Sequence, residues 1–123
     1  MNAPLALLLG SRGRLLVPLT ARLEALGYRV ATLANPVELV TRAELDQAMV
    51  VLADLEADRL AVLRAVELLR ANPATAHIPV LTFARELDEA GQTAALARGA
   101  TAAVTDDALL EHLPHLLERA LEV

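Results

Sequence analysis

The chain has 123 residues, a formal net charge of −5, and a composition that is 55% hydrophobic and 22% charged. Those values describe one globular domain spanning residues 1–123, with room for one core but not two, and they exclude a disordered chain. All 11 cations are arginine and cysteine is absent, so there is no basic stripe for nucleic acid, no disulfide and no thiolate metal site, as expected of a cytoplasmic protein.

Met1 to Ser11 hold a short leucine run without a basic leader, and Arg12 and Arg14 follow directly. Neither a signal peptide nor a membrane span is expected. Leu5–Leu9 reads as a continuous apolar strand ending at Gly10. A helix is predicted over Arg14–Leu26, with Leu15, Leu16, Leu19, Leu23 and Leu26 at helical spacing, Pro18 near its first turn and Gly27 as its stop. Tyr28–Leu33 reads as a second strand. Asn35-Pro36 then reads as an N-cap and first helical position, with Glu38 placed as in a capping box.

Met49–Ala53 is the third predicted strand, closed by Asp54. Asp58–Ala71 reads as an amphipathic helix presenting Leu60, Leu63, Val66, Leu68 and Leu69, and Asn72-Pro73 ends it. Ile78–Phe83 is a fourth strand. Asp88–Arg98 is an alanine-rich helix stopped by Gly99. Ala102–Val104 is a short fifth strand, and Asp107–Leu121 is a last helix interrupted by Pro114. Strands apolar on both faces, alternating with helices, mean an α/β fold with a parallel sheet covered on both sides. In such a sheet ligands gather beyond the C-terminal ends of the strands. That singles out Gly10, Ser11, Arg12, Asp54, Ala84, Arg85, Thr105 and Asp106.

Three segments carry a family likeness. LEALGYRV (residues 23–30) is similar to the end of the first helix and the second strand of bacterial response-regulator receiver domains. LRANPATAHIPVLTF (69–83) resembles their third helix, the following turn and the fourth strand. ARGATAAVT (97–105) resembles their Gly-Ala segment leading into the fifth strand. The resemblance covers essentially the whole chain. It implies the CheY-like, flavodoxin-like topology: a doubly wound five-stranded parallel sheet with five helices and strand order 2-1-3-4-5.

Carried over residue by residue, the resemblance puts the phosphoacceptor on Asp54. The family's acidic metal-binding pair falls on Gly10 and Ser11, its Thr or Ser on Ala84 and its Lys on Asp106. Asp107 replaces the Pro after that Lys, and Ala103 replaces the switching aromatic. Asp58 and Val62 stand where the family has Pro and Gly. Phosphoryl transfer to a carboxylate depends on positioning and charge neutralisation, and Mg²⁺ demands hard oxygen ligands. Each missing electrostatic contact costs about 2.7–4 kcal/mol of barrier, so ordinary phosphotransfer and a bound Mg²⁺ are not expected.

Other residues admit simpler roles. Gly10-Ser11-Arg12-Gly13-Arg14 is a strand-to-helix turn whose N–H groups and cations suit an anion, but it has neither Walker nor dinucleotide spacing. Arg12 or Arg85 can instead neutralise Asp54. Asp106 and Asp107 suit a helix N-terminus. His112 and His115 are one turn apart but lack further metal ligands, and His77 reads as a turn residue. The last helix is apolar over a wide face through Leu109, Leu110, Leu113, Leu116, Leu117 and Leu121.

The expected function is a phosphorylation-independent signalling or docking module in two-component signal transduction. It is expected to need no cofactor and to bind a protein partner or a second copy through Asp88–Val123. Two alternatives stand beside it: a sensor of a small anionic ligand around Ser11, Arg12 and Arg85, and a phosphoreceiver with Asp54 as acceptor. No base–nucleophile pair marks an enzyme.

Overall fold

The computed structural model describes residues 3–56 and 58–122. Strands and helices alternate along the chain: β1 (Leu5–Leu9), α1 (Gly13–Ala25), β2 (Arg29–Leu33), a 3-10 turn (Pro36–Glu38), α2 (Leu39–Asp46), β3 (Val50–Asp54), α3 (Arg59–Ala71), β4 (Val80–Ala84), α4 (Glu89–Ala97), β5 (Ala102–Thr105) and α5 (Asp106–Ala120). The strands form one five-stranded parallel sheet in the order β2-β1-β3-β4-β5. The order and the helix count are those the family likeness implied.

Successive strand residues face opposite sides, so each strand feeds two apolar layers. Leu5, Leu7, Leu9, Val51 and Ala53 pack under α2 and α3. Ala6, Leu8, Val50, Leu52, Leu81 and Phe83 pack under α1 and α5. β1, β3 and β4 are buried along their whole length, which explains their unbroken apolar runs, whereas β2 at the edge is partly open. Among the described residues, no helix is long and apolar enough to cross a membrane.

Several details differ from the sequence-based expectations. The third strand begins at Val50 because Met49 lies outside the layer and is exposed, and the fourth begins at Val80. On α3 the buried stripe is Val62, Leu63, Ala65, Val66 and Leu69. Leu60 and Leu68 are exposed there, because i, i+4, i+8 spacing puts them on the outer face with Arg64. Asn35 does not cap a long helix. Its side chain accepts the Val37 N–H of the 3-10 turn, and Glu38 then holds the N-cap position of α2 without a side-chain cap bond. Pro18 lies in the second turn of α1, where it cannot donate the i+4 hydrogen bond to the Arg14 carbonyl.

Pro114 has a more useful consequence. It cannot donate to the Leu110 carbonyl, and Arg22 of α1 donates to that oxygen instead, at 3.1 Å. The freed acceptor thus ties α1 to α5, and the backbone departs from helical values at His112 (φ −113°, ψ 19°).

At the opposite end of the sheet from the strand-end loops, Arg70 of α3 makes a second tie. Its guanidinium donates to the carbonyls of Gly99 (2.8 Å), Ala76 (2.8 Å) and Ile78, and to Thr101 Oγ1 (3.1 Å). Burial lowers its pKa relative to a free arginine side chain. Gly99 has φ +112°, and a Cβ there would come within 2.6 Å of Arg70 Cγ, so the α4–β5 turn needs glycine for both its backbone and this close approach.

Candidate functional site

The C-terminal ends of β1 and β3 and the start of α5 converge on one side chain, Arg12. It sits at the N-cap position of α1 with extended backbone (φ −82°, ψ 94°) and makes no cap bond, so its side chain is free to cross the strand ends. Arg12 Nε donates to Asp54 Oδ2 at 2.6 Å and Nη2 donates to Asp54 Oδ1 at 2.8 Å. On its other edge Nη1 donates to Asp106 Oδ2 at 2.7 Å and Nη2 to Asp106 Oδ1 at 3.0 Å. One planar guanidinium therefore forks onto two carboxylates, the geometry that arginine supports and lysine cannot.

The environment makes these contacts strong. The Asp54 side chain is 1% exposed, against 19% for Arg12 and 15% for Asp106. Asp54 Oδ1 also accepts the Glu56 N–H at 2.9 Å. The Arg12 pKa is raised, first by its hydrogen bonds to Asp106 and then by those to Asp54. A base whose folded pKa is raised stabilises the fold at all pH below its unfolded value and loses that contribution only as pH rises through the folded one. For an arginine both values lie far above neutrality, so Arg12 stays cationic and gives no switch near neutral pH.

The neighbouring positions complete the site. Gly10 ends β1 with its N–H on the Leu33 carbonyl, and a Cβ added there would stand 3.0 Å from Asp54 Cβ. Glycine at that position lets the backbone lie close to the carboxylate. Ser11 is exposed and Ala84 is buried, so neither places a polar side chain against Asp54. The Arg85 side chain is exposed, but its backbone N–H donates to Glu56 Oε2 at 2.9 Å. Thr105 caps α5 by accepting the Ala108 N–H, which leaves Asp106 in the first turn and facing Arg12. Asp106 is therefore both a helix N-terminal acid and a member of the cluster, while Asp107 is exposed.

Arg12, Gly13, Arg14, Leu15, Arg85, Asp106, Asp107 and Leu110 line an open depression of about 440 Å³ over this cluster. His77, His112 and His115 are exposed and apart from it, and no group of three or more metal-ligating side chains occurs among the described residues. What reasoning from the sequence missed was the double engagement of Arg12. The available signal was charge: two acids at strand ends and no lysine demand a cation, and Arg12 is the one beside Gly10 and Ser11.

A second feature lies on the α4–β5–α5 side. An open groove of about 400 Å³ is lined by Gln92 and Leu96 of α4, Thr101 to Val104 around β5, and His115, Leu116, Arg119 and Ala120 of α5. Gln92 Nε2 donates to the Ala103 carbonyl at 3.0 Å, which occupies an acceptor of the edge strand. Leu109, Leu113 and Leu117 of α5 are buried on the sheet, so half of the six leucines expected on its apolar face belong to the core, and Leu110, Leu116 and Leu121 are half-buried. Val123, the end of the expected docking segment, lies outside the described residues.

No family model and no curated protein matches the chain by sequence. Solved structures do match it in shape. The chemotaxis protein CheY4 of Vibrio cholerae superposes with a TM-score of 0.85 at 21% identity, over 97% of this chain and 99% of that one. A putative response regulator from Chloroflexus aurantiacus gives 0.87 at 16% identity, over 98% of both chains. The receiver domain of a sensor histidine kinase from Pseudomonas aeruginosa, which has a magnesium ion coordinated in its active-site cleft, gives 0.84 at 21% identity over 97% and 98%. With its 2-1-3-4-5 parallel sheet and these neighbours, the chain has the receiver fold of CheY-like response regulators.

Proposed function

We propose that this chain is a signal-transduction module that works by docking and not by phosphorylation of Asp54. The observation that carries this reading is the fork of Arg12 across Asp54 and Asp106. A nucleophilic carboxylate needs a free oxygen facing the phosphoryl donor, whereas both oxygens of Asp54 already accept charge-assisted hydrogen bonds. The residues also do not fit a magnesium ion. Gly10 offers no side-chain oxygen, Ser11 is exposed and neutral, and the carboxylates of Asp54 and Asp106 hold a guanidinium. Position 84 carries no hydroxyl and position 103 no aromatic ring, so a phosphoryl group would have nothing to move. On this reading the chain acts without catalysis and without a cofactor.

The anion-sensor reading is weaker on the same grounds. The Arg12 guanidinium already holds Asp54 and Asp106, and the Glu56 and Arg85 N–H groups donate to Asp54 and Glu56.

The docking face is the groove between α4 and α5, and its occupant on this reading is a second copy of the chain. Leu96 is 46% exposed on one wall and the half-buried Leu116 lies on the other. Because Gln92 occupies the Ala103 carbonyl of the edge strand, contact there is made by side chains and not by adding a strand. Sedimentation of the wild type is expected to show a concentration-dependent dimer that Leu96→Glu with Arg119→Glu converts to monomer without loss of helical signal. A wild type that stays monomeric, or a dimer indifferent to both substitutions, contradicts this assignment.

A further inference from the structure

The misfit with a metal has a positive counterpart. We propose that Arg12 is the resident cation of the strand-end pocket, doing with one covalently attached group what would otherwise need a bound divalent ion and a separate lysine. This rests on the reading that Asp54 is not a phosphoacceptor, and it adds how the site is regulated: its cation cannot leave.

Three observations converge on it. The guanidinium bridges β3 and the first turn of α5, so it sits between the two acids and does not merely cover one of them. Asp54 is almost fully buried, and a buried carboxylate without a counter-charge is strongly disfavoured. Charge is also matched in space: Asp54 and Asp106 face the same cation, Arg12, on two edges of its guanidinium. Glu56 plays the complementary part, since its carboxylate takes the Arg85 N–H.

The consequence is that α5 is pinned to β3 in one arrangement whatever small ions are present.

The test is Mn²⁺ binding by the full chain, followed through the paramagnetic resonance signal of the free ion. The wild type is expected to leave the signal unchanged. Arg12→Ala, which uncovers two facing carboxylates, is expected to bind Mn²⁺ at least about tenfold more tightly, as affinity follows the number of free anionic oxygens. Asp54→Asn in that background is expected to remove the gain. Wild-type binding equal to that of the variant, or no gain in a folded variant, overturns the proposal.

A measurement on the wild type holds even where Arg12→Ala does not fold. The Nε–H resonance of Arg12 is expected to be protected from solvent exchange and unbroadened by Mn²⁺; a freely exchanging or broadened resonance overturns the proposal. Wild-type Mn²⁺ binding with Asp54 still inert to phosphoryl donors defeats the resident cation alone. Phosphorylation of Asp54 defeats the underlying functional reading.

Discussion

Replacing Arg12 with alanine is expected to lower the unfolding free energy by about 3 kcal/mol, the lower end of the range for removing one partner of a buried ion pair. The lower end applies because Arg12 keeps 19% of its side-chain surface in water. The loss is mainly the cost of stranding Asp54 opposite Asp106, two like charges with no cation between them. Asp54→Asn in the wild-type background should therefore be milder, since it leaves Arg12 paired with Asp106. Combining the two substitutions should recover part of the loss. Urea unfolding of the single and double variants measures this, and fully additive losses would show that the cluster does not act as a unit.

Arg70→Met is expected to cost about 2–3 kcal/mol, comparable to breaking one or two hydrogen bonds to a charged group. Methionine keeps most of the aliphatic stem, so the loss isolates the guanidinium. That group reaches from the end of α3 to both the loop before β4 and the α4–β5 turn. Its removal should loosen one end of the groove between α4 and α5 while leaving the Arg12 cluster intact. Amide hydrogen exchange should accelerate across residues 99–105 and stay unchanged in β1. Uniform acceleration through the whole sheet would mean that Arg70 is only a general stabiliser and not a local strap.

Much of this architecture was legible before the structure. Unbroken apolar runs such as Leu5–Leu9 gave away buried parallel strands, because such strands show apolar side chains on both faces. Gly27 and Gly99 marked helix ends for a physical reason, since both adopt positive φ. The buried stripe of α3 was misjudged because periodicity counted leucines, while the packed face uses Ala65 and Val62 and leaves Leu60 in water.

At the site, the strand-end positions could be listed from topology alone, yet their partnership could not. Arg12 and Arg85 follow strand ends in the same way, and each was a candidate to neutralise Asp54. What separates them is three-dimensional. Arg12 has an uncommitted N-cap geometry two residues after Gly10, which lies against Asp54, whereas the backbone of Arg85 is held by Glu56 and its side chain is exposed. The reach of Arg12 to Asp106, 94 residues away in sequence, leaves no trace in any local pattern.

The central claim is that Asp54 is a permanently paired carboxylate and not a phosphoacceptor. Incubation with Mg²⁺ and acetyl phosphate, followed by intact-mass spectrometry, tests it most directly. The account predicts an unmodified mass for the wild type. A single added phosphoryl group that disappears in Asp54→Ala would contradict it.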